Sequence, residues 1–223
     1  MNDVAARARD PSPWLAAAVQ RFCTDNLLKT AGTIAFMALF FPAYFFVLQH
    51  PSRPLTTMPL TPVDAWVPFS PLALPVYASL WIYVSLPASL LDRRARLYAY
   101  GAAAAGMCLV GLACFFAWPT AVPPNAIDWT RHPGYGVLKG VDASGNACPS
   151  LHVASAVFSC FWLHWLLREL HAGPRIRGFN VAWCIAIVLS TLSTRQHVAL
   201  DALAGALLGT GFALGTRRWI DAE

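Results

Sequence analysis

Residues 196–216 read QHVALDALAGALLGTGFALGT. A predominantly apolar run of this length crosses ~30 Å of hydrocarbon as a helix, yet it carries His197 and Asp201 near its start. An acid at membrane depth is costly, so the reading turns on whether the rest of the chain is also membrane-bound. Composition decides it. Of 223 residues, 57% are hydrophobic and 12% charged, where a soluble domain is roughly one quarter charged. A water-soluble fold and a disordered chain are excluded, and the lack of internal repeats excludes a solenoid. The expectation is an all-α polytopic membrane protein, a bundle of six transmembrane helices.

The other apolar runs supply five more spans. Ala31–Gln49 contains no charged residue. The uncharged run Ala65–Leu91 is interrupted by Pro68, Pro71, Pro75 and Pro87, so its first part is expected as an interfacial entry and the span as Leu72–Leu91. Leu97–Trp118, Pro149–Leu167 and Gly178–Thr194 complete the set. Six spans place both termini on one side. That side receives Arg7, Arg9, Arg21, Lys29, Arg93, Arg94, Arg96, Arg168, Arg175, Arg177, Arg217 and Arg218, leaving only Arg53, Arg131, Lys139 and Arg195 of the 16 Lys and Arg opposite. By the positive-inside rule the termini are cytoplasmic. The net charge of +5 therefore reports orientation and not a nucleic-acid partner, because the bases fall in short clusters between spans.

The expected organisation is a cytoplasmic segment over 1–30, a membrane domain over 31–216 and a cytoplasmic tail over 217–223. Within the first, Trp14–Leu28 is expected as an amphipathic helix on the membrane surface; no cleavable signal pattern is present. Of the six cysteines, four lie inside spans and Cys23 is cytoplasmic, so no disulfide framework or zinc spacing follows. The Trp residues, Trp66 and Trp118 among them, read as an interfacial belt. His164 and His171 read as structural or solvated, and the outer-loop His50 and His132 as interfacial polarity, with headgroup contact as the alternative.

Two segments carry chemistry. His197 and Asp201, four apart, would share a helical face, letting the carboxylate fix one imidazole nitrogen and leave the other nucleophilic. A helix-start Asp beside an interfacial His is the alternative. The second segment is Cys148-Pro149-Ser150-Leu151-His152 at the start of the fourth span. Pro149 suits a first helical turn, and the amides after it with the Ser150 hydroxyl would cradle an anion. Both segments open spans from the outer side, so His152, Ser150, His197 and Asp201 can converge.

Pro149-Ser150-Leu151-His152 followed by His197-Val198-Ala199-Leu200-Asp201-Ala202-Leu203-Ala204-Gly205 resembles the second and third signature motifs of the PAP2 (type 2 phosphatidic acid phosphatase) superfamily of six-span lipid phosphatases. Leu151, with Asp142 and Asn146, resembles the branch that includes inositol phosphorylceramide synthases. The likeness covers about Asp64–Gly209, including Pro62-Val63-Asp64-Ala65-Trp66-Val67-Pro68-Phe69. It implies that His197 attacks phosphorus, that Asp201 orients it, and that His152 protonates the leaving group and then activates the acceptor. Ser150 and nearby backbone amides, that of Leu151 included, would hold phosphate oxygens.

The chain departs from that pattern in two places. Thr191 stands where the third motif has an Arg, with Arg195 as the nearest replacement, and the first motif's Lys and Arg-Pro are missing, leaving Lys139 and Arg131 as outer-loop cations. The expected activity is a metal-independent, cofactor-free phosphatase releasing phosphate from a membrane lipid at the periplasmic face of a bacterial inner membrane. The alternative is a phospholipid headgroup transferase.

Overall fold

The computed structural model describes residues 13–125, 127–131 and 145–217. Eleven residues of surface helix, α1 (Pro13–Cys23), precede α2 (Asn26–Gln49). The expected surface helix ends at Cys23 and not at Leu28, because Asp25 takes a left-handed φ of 50° and restarts the chain as α2. A short strand β1 (Thr56–Thr57) and helix α3 (Pro62–Trp66) follow. The second span is broken as its prolines require, into a 3₁₀ turn (Pro71–Ala73), α4 (Leu74–Ala78), α5 (Leu80–Tyr83) and α6 (Ser85–Leu90). Then come α7 (Arg94–Ala117), β2 (Thr120–Ala121), a 3₁₀ turn (Trp129–Arg131), α8 (Leu151–Glu169), α9 (Pro174–Ser193) and α10 (Ala199–Thr216).

Among the described residues, α2, the broken segment Pro71–Leu90, α7, α9 and α10 have the length and composition to cross a membrane. The remaining helix, α8, is less apolar because it bears His152, Ser155, Ser159 and His164. It sits at the centre of the bundle, with α5, α6, α7, α9 and α10 packed around it. Protein, not lipid, surrounds it, so Val153, Ala154, Ala156, Trp162 and Leu166 are fully buried. By contrast α2 packs mainly on α7 and α6 and is largely exposed along its length. Helix α9 starts at Pro174, four residues earlier than the apolar run suggests, because Gly173 and Pro174 form a natural start; Arg175 and Arg177 are thereby in its first turn.

Each end of the bundle is fastened differently. At the end where α1 lies, Arg21 bridges Asp92 at 3.2 Å and Glu169 at 2.6 Å, and Arg96 meets Glu169 at 3.0 Å. These pairs join α1, the start of α7 and the end of α8. At the other end backbone bonds dominate. Strand β1 pairs in parallel with β2 through Thr56–Thr120 and Thr57–Ala121, and Thr120 also bridges to Asn146. The Ser70 amide donates to the Ser193 carbonyl at 3.1 Å, so the second and fifth spans meet there too.

Candidate active site

The end of the bundle away from α1 holds both sequence segments. Ser150 is the N-cap of α8, its Oγ accepting from the Val153 amide at 3.2 Å. Helix α8 therefore begins at Leu151, and Pro149 lies outside it, not in its first turn as the sequence suggests. Ser150 is fully buried, and its own N–H donates to the Asp201 carbonyl at 3.0 Å. That bond joins the segment before α8 to the first turn of α10. The amides of Leu151 and His152 come next, and a helix start leaves such groups without intrahelical acceptors.

His197 lies two residues before α10, because that helix starts at Ala199. The expected i, i+4 pairing on one helical face is thus made by a residue that precedes the helix and a first-turn residue. The Asp201 Oδ2 accepts from the Val198 amide at 3.0 Å, which bends the chain back over the helix start. His197 Nδ1 lies 3.7 Å from that same oxygen. This is ion-pair distance and longer than a hydrogen bond. Asp201 is fully buried and its Oδ1 has no partner, while His197 is 8% exposed. With Nδ1 turned to the carboxylate, Nε2 is the nitrogen left for chemistry.

His152 faces His197, the ring centroids 6.3 Å apart. Tyr77 stacks on His152 at 4.4 Å with an 18° interplanar angle, its hydroxyl 3.4 Å from Nδ1. His152 Nε2 has no hydrogen-bond partner. Trp81 closes the other side edge-on at 6.1 Å. Two imidazoles therefore oppose one another; His152 Nδ1 lies by the Tyr77 hydroxyl, while His197 Nδ1 faces the Asp201 carboxylate with no hydrogen-bond partner.

The remaining expected residues divide. The Leu151 side chain is buried against Gly111, so only its backbone can meet an anion. Arg195, at a left-handed φ of 58°, places its guanidinium on the Asp64 carbonyl at 3.2 Å. Arg131 has an 81% exposed side chain and pairs with Asp128 at 3.1 Å. Lys139, with Asp142 and His132, lies outside the described residues.

Of two supporting residues, Asp64 was legible only as a brace for the entry loop before the second span, and Thr120 not at all. Asp64 is buried; one carboxylate oxygen accepts from the Ala199 amide at 2.8 Å and the other from the Thr61 amide at 2.7 Å and hydroxyl at 2.8 Å. It fixes the start of α10 from α3. Burial raises its pKa, but the Thr61 and Ala199 bonds and the nearby Arg195 charge outweigh that and hold the carboxyl below its ordinary value. Thr120 is also fully buried, and its Oγ1 accepts from the Cys148 amide at 2.8 Å. A Thr-Ala dipeptide after Trp118-Pro119 carries no sequence signal for that duty.

Beneath the imidazoles an apolar cavity of about 450 Å³ lies between α2, the broken span, α7 and α8. His152, His197 and Asn146 line one end of it, and Asn146 Nδ2 contacts the Tyr44 hydroxyl there. No curated protein and no solved structure is matched by the chain. The sequence model of the PAP2 superfamily matches residues 94–223, which takes in α7 to α10 with both histidine segments and leaves Asp64 and the Pro62–Phe69 stretch outside it.

Proposed function

The chain belongs to the PAP2 superfamily, and from that premise we propose that it is a lipid phosphatase working through a phosphohistidine. The observation that carries this reading is the pair of opposed imidazoles, 6.3 Å apart by centroid, with Asp201 behind one and the cavity below both. His197 Nε2 attacks the phosphorus of a lipid phosphate monoester. A P–N bond forms as the bond from phosphorus to the lipid oxygen breaks, and protonated His152 gives its proton to that oxygen. Asp201 balances the charge that develops on His197. Water then attacks the phosphohistidine, His152 takes its proton, and inorganic phosphate leaves with His197 restored. The chain's own donors to the phosphoryl oxygens are the Leu151 and His152 amides and the Ser150 hydroxyl. No metal is required by these steps.

By the distribution of Lys and Arg the termini face the cytoplasm and the site faces the periplasm of a bacterial inner membrane. The 1–30 segment, the membrane domain over 31–216 and the 217–223 tail follow that orientation. A second reading, favoured by the likeness of Leu151 and Asn146 to the inositol phosphorylceramide synthase branch and by the few outer cations, replaces water with a lipid hydroxyl and makes the enzyme a headgroup transferase.

One assay separates these readings. The purified protein is incubated with phosphatidate, phosphatidylglycerophosphate, a prenyl phosphate, and ceramide with a phosphoinositide, and free phosphate is resolved from new lipid. Phosphate release supports hydrolysis, new phospholipid supports transfer, and the absence of both sinks the two together. His197→Ala should abolish turnover and acid-labile labelling, whereas His152→Ala should retain the label. For topology, Asn125→Cys should react with an impermeant maleimide on spheroplasts; protection there would reverse the orientation.

A further inference from the structure

Helices α8 and α9 form an antiparallel hairpin whose turn lies at the α1 end of the bundle, far from the histidine pair. Asn180 Nδ2 donates to the Cys160 carbonyl at 3.1 Å, and the Ala172 amide donates to the Leu167 carbonyl at 2.8 Å. That register sets the neighbours between them. One turn on from Cys160 is His164, and one turn back from Asn180 is Arg177. Arg168 follows His164 by a further turn on the same face of α8. The charges of Arg177 and Arg168 both act on His164, so the three residues form one cluster across two helices.

No acid answers this cluster among the described residues. Glu169, next to Arg168, is taken by Arg21 and Arg96, Asp92 by the same two arginines, and Asp25 by Arg94. Arg168, Arg175 and Arg177 make no ion pair there. His164 Nδ1 and Arg177 Nε are enclosed by protein and have no hydrogen-bond partner, a costly condition for buried polar atoms. Helix direction adds to the imbalance. Arg175 and Arg177 lie in the first turn of α9, and its N-cap, Gly173, brings no side-chain cap, so two cations sit at the positive end of the helix dipole. A bound anion relieves all of these at once.

The surface leading away from the cluster is apolar. Val181, Ile185 and Leu189 follow Arg177 at successive four-residue steps along α9, and all three are exposed on a helix long and apolar enough to cross a membrane. A hydrocarbon chain attached to an anion at Arg177 has a continuous track along that stripe, which a free inorganic anion would not use. We infer that His164, Arg168 and Arg177 bind the phosphate of an anionic phospholipid in the leaflet on the α1 side, its tail lying against Val181, Ile185 and Leu189. The two guanidinium groups donate to the phosphoryl oxygens, and His164 supplies a third donor from α8. The lipid thereby bridges α8 to α9. In the orientation proposed above this leaflet is the cytoplasmic one.

The test measures dioleoyl phosphatidylglycerol bound to the detergent-solubilised full chain by native mass spectrometry. Dioleoylglycerol serves as the lipid without phosphate, and inorganic phosphate as the anion without a tail. Affinity for phosphatidylglycerol should fall about tenfold or more in Arg177→Gln and in Arg168→Gln, the loss of one charge-assisted hydrogen bond. It should stay near the parent value in Arg93→Gln, which removes an exposed arginine at the same end of the bundle. An equal fall in Arg93→Gln would show diffuse attraction of an anionic lipid to a basic surface and overturn the inference. No fall in the other two variants, or retention of dioleoylglycerol as strong as that of phosphatidylglycerol, would overturn it as well. If inorganic phosphate displaces the lipid at equal concentration, the site takes a free anion and the lipid assignment fails. Should Arg177→Gln not fold, Arg168→Gln carries the same comparison, because its side chain is exposed. Binding is read without turnover, so its outcome is separate from that of the phosphatase reading.

Discussion

The amide of Ser150 donates to the carbonyl of Asp201 at 3.0 Å, so the residue that caps α8 and the acid that serves His197 are joined by one backbone bond. Two segments some fifty residues apart are held in register by it. The bond forms only because α8 and α10 approach closely where Gly205 faces Ser150.

The first prediction concerns that approach. A Cβ at Gly205 would overlap the Ser150 carbonyl, and one at Gly209 the Ala154 carbonyl. Gly205→Ala should cost about 1–3 kcal/mol through overpacking and lower kcat by moving His152 relative to His197. Gly209→Ala, one turn further from the site, should cost similar stability and less activity. Gly211→Ala and Gly215→Ala open onto free space and should leave both unchanged or stabilise slightly, by up to about 1 kcal/mol. Thermal unfolding and turnover of the four variants check it, and indistinguishable behaviour would contradict the close-approach account.

These relationships also mark what the sequence could and could not disclose. Apolar run length shows which segments form long helices, so the placing of the apolar helices was legible, whereas the breaking of the second run into short helices was not read from Pro75 and Pro87. Asp201 stood out because an acid in an apolar run is costly. Gly205, Gly209 and Gly215 read in the sequence as small residues for close helix packing; Gly205 and Gly209 do pack closely, whereas a Cβ at Gly215 meets nothing. What stayed hidden depends on backbone pairing between distant segments. Helical periodicity placed His197 inside α10, but the Asp201 carboxylate captures the Val198 amide and starts the helix two residues beyond the histidine. Nothing in residue type announces that Thr120 will receive the Cys148 amide, and a cavity between α2 and α7 is a property of packing, not of pattern.

Thr120 gives the second prediction. Thr120→Val keeps the shape and removes the acceptor for the buried Cys148 amide, which costs about 1–3 kcal/mol. The loosened strand leads directly into Ser150 and His152, so kcat should fall along with stability. Thr120→Ser restores the oxygen and should recover most of both. Equal loss in the two variants would show that the methyl group, not the hydrogen bond, matters.

Tyr77 gives the third. It stacks on His152 and its hydroxyl lies 3.4 Å from Nδ1, so it acts as a positioning residue. Tyr77→Phe keeps the stack and should change the pH profile of kcat more than KM. Tyr77→Leu removes both contacts, and its loss should approach that of removing a general acid, about 10²-fold or more. A KM effect without a kcat effect in either variant would place Tyr77 in substrate binding instead.

Asp64 gives the last, through pH. Its carboxylate holds the Ala199 amide and both Thr61 donors, and its pKa lies below the ordinary carboxylate value despite burial. A depressed folded-state pKa means that the ionised form stabilises the fold. The contribution is fully present above the unfolded value of about 3.9 and is lost as pH falls through the lower folded value. Melting temperature should therefore decline on acidification below about pH 4, and Asp64→Asn should lack that component of the decline. At neutral pH the same variant should lose about 1.5–3 kcal/mol, the range for hydrogen bonds to a charged group. It should also lower kcat, because the start of α10 is two residues from His197. Parallel melting curves for parent and variant across that pH range would remove Asp64 from the account.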